Sequence, residues 1–175
     1  MLYPLLDEVA RTFAPASYLE IGVRDGASLA TVVMAAGPQL QHITLCDTWW
    51  WDFGGSGREN HHHIAALLSA LRYEGEEVVW LDGKSQDLIP GYRGGPFDLI
   101  LIDGDHSAKG ARADLENCWR LLSERGVMVM DDLHHDSHLY LHEVFTKFAA
   151  EHGAKIVRDV PTGAGVGALT IERRT

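Results

Sequence analysis

FDLILIDGDH, residues 97–106, is a strongly apolar run of strand length that stops at a cluster of polar residues. Phe97 to Ile102 has the pattern of a strand buried on both faces of a sheet. Asp103, Gly104, Asp105 and His106 follow at once, so potential chemistry begins where the strand ends. Downstream, Ala108 to Leu122 is amphipathic, and Val127 to Met130 reads as another buried strand closed by Asp131 and Asp132. Upstream, residues 2–13 have helical spacing and are stopped by Pro15. Ser17 to Ile21 is a first strand, Gly22 to Gly26 a turn and Ser28 to Ala36 a helix. Residues 41–46 form a second strand ending in Asp47, Asn60 to Leu71 a helix, and Glu77 to Leu81 a third strand. Leu139 to His152 is helical, and residues 155–160 and 168–173 are a closing antiparallel pair at one edge. Strand–helix alternation of this kind predicts an α/β fold, a three-layer Rossmann-like arrangement with a mostly parallel sheet and an antiparallel edge strand.

The 175 residues suit one domain, 1–175, with one core. No apolar run approaches the ~20 residues that cross a membrane, and MLYPLLDEVA lacks a basic leader region. Cys46 and Cys118 form no disulfide framework, which fits a reducing, cytoplasmic setting. The net charge of −10 disfavours tracking a phosphate backbone. The expected partner is a small-molecule acceptor, with no nucleic acid and no membrane; a homo-oligomer is left open.

Ligands of open α/β sheets sit beyond the carboxyl ends of the strands. Glu20, Gly22, Gly26 and Ser28 follow the first strand, and Asp47 the second. Asp82, Gly83, Lys84 and Ser85 follow the third, Asp103 and His106 the fourth, and Asp131 and Asp132 the fifth. The turn EIGVRDGAS, residues 20–28, lets the backbone approach a ligand and opens a helix whose free N–H groups can receive a carboxylate. It is not the G-x-G-x-x-G dinucleotide fingerprint. Asp47 lies where an acidic side chain can accept both hydroxyls of a ribose.

EIGVRDGAS, followed by FDLILIDGDHS, a helix and RGVMVMDD, resembles the class I S-adenosylmethionine-dependent methyltransferases over nearly the whole chain. Within them it resembles the subgroup of macrocin-type sugar O-methyltransferases, and shares part of its pattern with catechol-type enzymes. The resemblance implies an enzyme that methylates a small-molecule hydroxyl. It implies that Gly22, Gly26 and Ser28 surround the methionine end of S-adenosylmethionine, with Glu20 and Arg24 in the same turn. Asp47 would hold the ribose, with Thr48 and Trp49 beside it. Gly83, Lys84 and Ser85 would lie near the adenine. In metal-dependent relatives the matching acids bind magnesium, which points to Asp103, Asp131 and Asp132, with Asp103 also a cofactor contact. The general base matches His106.

Three carboxylates at neighbouring strand ends suit a hard cation, and a histidine can take a hydroxyl proton. A metal-independent methyltransferase and a non-catalytic S-adenosylmethionine-binding domain are the alternatives. Trp49, Trp50 and Trp51 could stack on the adenine or roof the acceptor pocket. His134, His135 and His138 could line its mouth, while His61, His62 and His63 read as surface residues at a helix start. With a single helix before the first strand, the acceptor site should be open, or closed by residues 49–60 or another subunit.

Overall fold

Alternation along the strands sorts the core into two layers. Leu99 and Leu101 face one side with Tyr18, Ile43, Leu45, Val127 and Val129, while Ile100 and Ile102 face the other with Leu19, Ile21, Met128 and Met130. This is the period-two consequence of a pleated strand buried on both faces. Each fully buried Leu or Ile contributes about 1.5–3 kcal/mol of hydrophobic stabilisation.

The computed structural model of the protein describes residues 2–49, 59–71, 73 and 77–171. The elements are α1 (Leu2–Phe13), β1 (Ser17–Ile21), α2 (Ala27–Ala36), β2 (His42–Asp47), α3 (Glu59–Ala70), β3 (Glu77–Asp82), α4 (Ser85–Leu88), β4 (Phe97–Ile102), α5 (Ala108–Trp119), β5 (Leu122–Asp131), α6 (Tyr140–His152), β6 (Ala154–Val160) and β7 (Val166–Ile171). The seven strands are ordered β3-β2-β1-β4-β5-β7-β6. β1 to β5 pair in parallel. β7 runs antiparallel to both β5 and β6, so the expected antiparallel pair closes one edge. α1, α2 and α3 cover one face, and α5 and α6 the other. No described helix is long and apolar enough to cross a membrane.

Some boundaries differ from the sequence reading. The helix expected over Ala108–Leu122 ends at Trp119, and β5 begins at Leu122, five residues before the expected Val127. Tertiary pairing decides this: Phe97 donates to the Leu121 carbonyl at 2.7 Å and is in register with Leu122. The apolar pair Leu121–Leu122 therefore enters the core from a strand start instead of a helix end. The short helix α4 was not anticipated, because Ser85–Leu88 is a single turn with no periodicity to read. Trp50, Trp51 and residues 52–58 of the segment 49–60 expected as a possible cover for the acceptor site lie outside the described residues, as do positions 172–173 of the last expected strand.

Candidate active site

The chain order and the strand order reverse between β1 and β4. β1 leads into α2 on one face, and β4 leads into α5 on the other. A crevice opens at such a switch point, beyond the carboxyl ends of both strands. Here it is a cleft of about 1090 Å3 lined by Gly22, Asp47, Gly83, Asp103, His106 and Asp132, among others. Arg24, Thr48, Lys84, Ser85 and Asp131 also reach it, so eleven of the fifteen residues expected from sequence share one cavity.

Gly22 continues the ladder past β1 by donating to the Cys46 carbonyl at 2.9 Å, and Asp103 donates to the Ile21 carbonyl at 2.9 Å. The φ of 84° at Gly22 lies in the left-handed region. A Cβ there would stand 1.9 Å from the Asp103 carbonyl oxygen. The glycine is thus required by the meeting of two strand ends. Asp47 receives the Arg24 N–H on one oxygen at 2.9 Å and the Trp49 N–H on the other at 2.7 Å. Those bonds fix the carboxylate and leave further lone pairs facing the cleft. On the far side, Ser85 donates to the buried Asp114 at 2.6 Å, and Gln86 reaches it at 3.2 Å. Burial pushes Asp114 up to about 7.

Four expected cofactor residues, Glu20, Gly26, Ser28 and Trp49, do not line the cleft. Glu20 is fully buried and accepts hydrogen bonds from Tyr18 at 2.9 Å and from the Ser28 hydroxyl. The two side chains brace the turn from below, since β1 is buried at every position and turns Glu20 inward. Gly26 adopts φ 82° at the start of α2 and packs against α3, where an added Cβ would meet Leu67 and Ile64 at 3.2 and 3.3 Å. Trp49 is 4% exposed; its indole N–H donates to Asp82 at 3.1 Å, and its ring meets His61 edge-on. His61 also stacks on Trp80 at 4.4 Å, so it is a packed residue, whereas His62 and His63 are on the surface as expected.

Glu20 carries a testable pH dependence. Burial raises its pKa from 4.5 to about 8, against the bonds from Ser28 and Tyr18 that lower it. A raised folded-state pKa gives stability that is full below the unfolded value and is lost as pH rises through the folded one. The wild type should therefore lose stability between about pH 4.5 and pH 8 through this group. Glu20→Gln should fold and flatten that slope, and Glu20→Ala should destabilise at every pH by leaving Tyr18 and Ser28 unpaired. Denaturant melts from pH 5 to 8.5 check this; a Gln variant with an unchanged slope would exclude Glu20 as the source.

At the mouth, His106 Nε2 lies 3.3 Å from Asp103 Oδ1 and 3.1 Å from Asp132 Oδ2. The atom is buried, yet neither oxygen lies in line for a well-formed hydrogen bond. The carboxylates still hold the ring protonated. Asp103 first, then Asp132, raise His106 to about 10 against the opposing effect of burial. Asp132 is lowered, chiefly by His106. Asp103 is raised by burial despite His106, and Asp131 is pushed up to about 7 by burial and by the charge of Asp103. The site thus concentrates more negative charge than its one imidazole balances.

Of the carboxylates expected to hold a metal, the structure brings Asp103 and Asp132 together beside His106. Ligand atoms of Asp103, His106 and Asp132 lie within 4.8 Å of one another, and Asp131 is not in that group. Pleat alternation puts Asp131 on the face of Val127 and Val129. Asp132 escapes the alternation through a left-handed φ of 59°, strain of the kind that clusters at functional sites. Of the three histidines expected at the mouth, only His138 lines the cleft; it stacks on His106 at 5.2 Å. His135 stacks on His138, while His134 turns to Asp159.

Tyr3 and Tyr140 were not anticipated from sequence. Both line the cleft, and the Tyr140 hydroxyl donates to the His106 carbonyl at 2.8 Å. Helical periodicity marks α1 and α6 as core elements but does not reveal that their first turns overhang the strand ends.

The strand order with its reversed β7, and the acid-lined cleft at the β1–β4 switch, define a Rossmann-like methyltransferase of class I. The family model described as "Methyltransferase domain" matches residues 19–133, and the chain belongs to that family. Solved structures agree on the fold. CalS11, a methyltransferase of calicheamicin biosynthesis, has a TM-score of 0.75 at 17% identity, covering 98% of this chain and 79% of its own. TomG from Streptomyces achromogenes, in complex with S-adenosylmethionine, has 0.68 at 18%, covering 98% and 79%. The S-adenosylhomocysteine-bound methyltransferase PaMTH1 of Podospora anserina has 0.71 at 17%, covering 98% and 78%. No curated protein matches by sequence.

Proposed function

We propose that the protein transfers the methyl group of S-adenosylmethionine to a hydroxyl of a small molecule. The observation that carries the reading is the convergence of Asp103, His106 and Asp132 in the same cleft as Asp47 and the Gly22 turn. TomG is described as an O-methyltransferase and CalS11 as a TDP-rhamnose 3'-O-methyltransferase, which supports a hydroxyl acceptor. Tyr3 and Tyr140, both about half-exposed and both lining the cleft, offer an apolar lip for the carbon frame of the acceptor.

In this reading Asp47 accepts the ribose hydroxyls, while Thr48, Gly83, Lys84 and Ser85 surround the adenine. The donor chemistry fits a hard divalent cation such as magnesium: two carboxylates converge with surplus negative charge, and the His106 nitrogen between them lacks a well-formed hydrogen bond. Asp103 and Asp132 would hold the ion, with Asp131 the next carboxylate. Bound there, it would lower the pKa of the acceptor hydroxyl. His106 receives the hydroxyl proton at Nε2 when the two carboxylates no longer clamp it as an imidazolium. The methyl transfer itself is an in-line displacement, to which the cleft contributes chiefly orientation.

Calorimetry with S-adenosylhomocysteine, followed by turnover over a panel of hydroxylated acceptors with magnesium or EDTA, tests the reading. Asp47→Ala should weaken cofactor binding roughly 10- to 100-fold, the loss of charge-assisted hydrogen bonds to a ribose. An Asp47→Ala chain that folds and binds with wild-type affinity would remove the assigned cofactor site. Cofactor binding without turnover on any acceptor would favour a binding domain.

A further inference from the structure

Away from the catalytic residues, His134, His142 and Asp159 converge from three separate elements. His134 is in the segment after β5, His142 in the first turn of α6, and Asp159 near the end of β6. The Nε2 atoms of His134 and His142 each lie 2.8 Å from a different oxygen of Asp159. The two rings are 4.5 Å apart. From these positions we propose that His134, His142 and Asp159 form a second metal site, which takes a borderline divalent cation such as Zn2+ or Co2+.

Two imidazoles and one carboxylate are the donor set such ions prefer, unlike the oxygen-rich surroundings that suit magnesium. A tetrahedral ion with bonds of ~2.0–2.1 Å needs its ligand atoms about 3.3 Å apart. The ligand atoms here all lie within 4.8 Å, and the 2.8 Å pairs need open by only about half an ångström. Binding requires each ring to carry its proton on Nδ1, which turns the Nε2 lone pair to the ion. His134 is held for the purpose. Its backbone N–H donates to the Ala164 carbonyl at 2.7 Å, and its ring lies against Gly165, where any added Cβ would strike it at 2.5 Å. Three protein ligands leave a fourth position open to water or a ligand on the exposed side. The ion would tie the segment carrying Asp132 to the edge strand β6.

The test is a titration of the tag-free full chain with Co2+, read by visible absorption and stoichiometry. The wild type should take up one more Co2+ per chain than His142→Ala or Asp159→Asn. Asp132→Asn, which alters the Asp103–His106–Asp132 group, should keep the band. Zn2+ should raise the wild-type Tm by a few degrees, as preferential binding to the folded state requires, and should leave Asp159→Asn unmoved. The Asn variant is nearly isosteric, so the comparison survives if His142→Ala folds poorly. Equal Co2+ uptake and equal spectra in wild type and both variants would overturn the site, as would a wild type that takes up no Co2+ and gains no Tm with Zn2+.

Discussion

Gly22→Val is expected to abolish cofactor binding by preventing the β1 and β4 ends from meeting. A Cβ at this position would stand 1.9 Å from the Asp103 carbonyl oxygen and 2.6 Å from its carbonyl carbon. Both are backbone atoms of the central sheet, so no side-chain rotation relieves the clash. The φ of 84° adds strain for any β-branched residue. Together these should cost more than about 3 kcal/mol, enough to displace the turn or unfold the chain. Gly22→Ala should suffer most of the same penalty, because the clash begins at Cβ. Gly26→Ala is the contrast. Its φ is similar, but its new Cβ would meet only the ends of Leu67 and Ile64 at 3.2 and 3.3 Å, which can shift. Thermal melts and calorimetry with S-adenosylhomocysteine on the three variants check the order. A Gly22→Ala chain as stable as Gly26→Ala would show that the strand ends can separate.

What the sequence discloses follows from how local each feature is. β1, β2 and β4 are written in short apolar runs, and their polar ends mark the cleft because every parallel strand delivers its carboxyl end to the same rim. The start of β5 is not local: Leu122 extends because Phe97 pairs with it. Glu20 and Ser28 look like ligand residues in a glycine-rich turn, yet which side of the backbone they occupy depends on the burial of β1. Asp131 and Asp132 are adjacent in sequence and both reach the cleft, yet only Asp132, at a left-handed φ, joins the group of Asp103 and His106. The His134–His142–Asp159 group joins residues 8 and 25 positions from His134 through the return of β6 to the sheet edge, and no spacing rule anticipates it.

His106→Ala is expected to lower kcat by roughly two to four orders of magnitude, the usual contribution of a positioned general base, with little change in cofactor affinity. The pH dependence separates this role from a merely structural one. Clamped between Asp103 and Asp132, His106 is held protonated up to about pH 10. In EDTA the wild-type rate should therefore be low at neutral pH and climb toward pH 10, as the fraction of neutral imidazole grows. With magnesium drawing on the same carboxylates, the rise should move to lower pH, because a nearby cation disfavours the imidazolium. Stability carries the opposite signature. The folded-state pKa lies above the unfolded 6.5, so the stabilisation from this group is complete below about pH 6.5 and is lost as pH rises through about 10. His106→Gln should lack both the kinetic rise and that part of the stability slope. Asp132→Asn removes one clamp, so in EDTA its kinetic rise should begin at lower pH than in the wild type, while its response to magnesium weakens. A wild-type rate that is flat with pH in EDTA, and equal to the rate in magnesium, would remove His106 from proton transfer and leave the ion no part in the reaction.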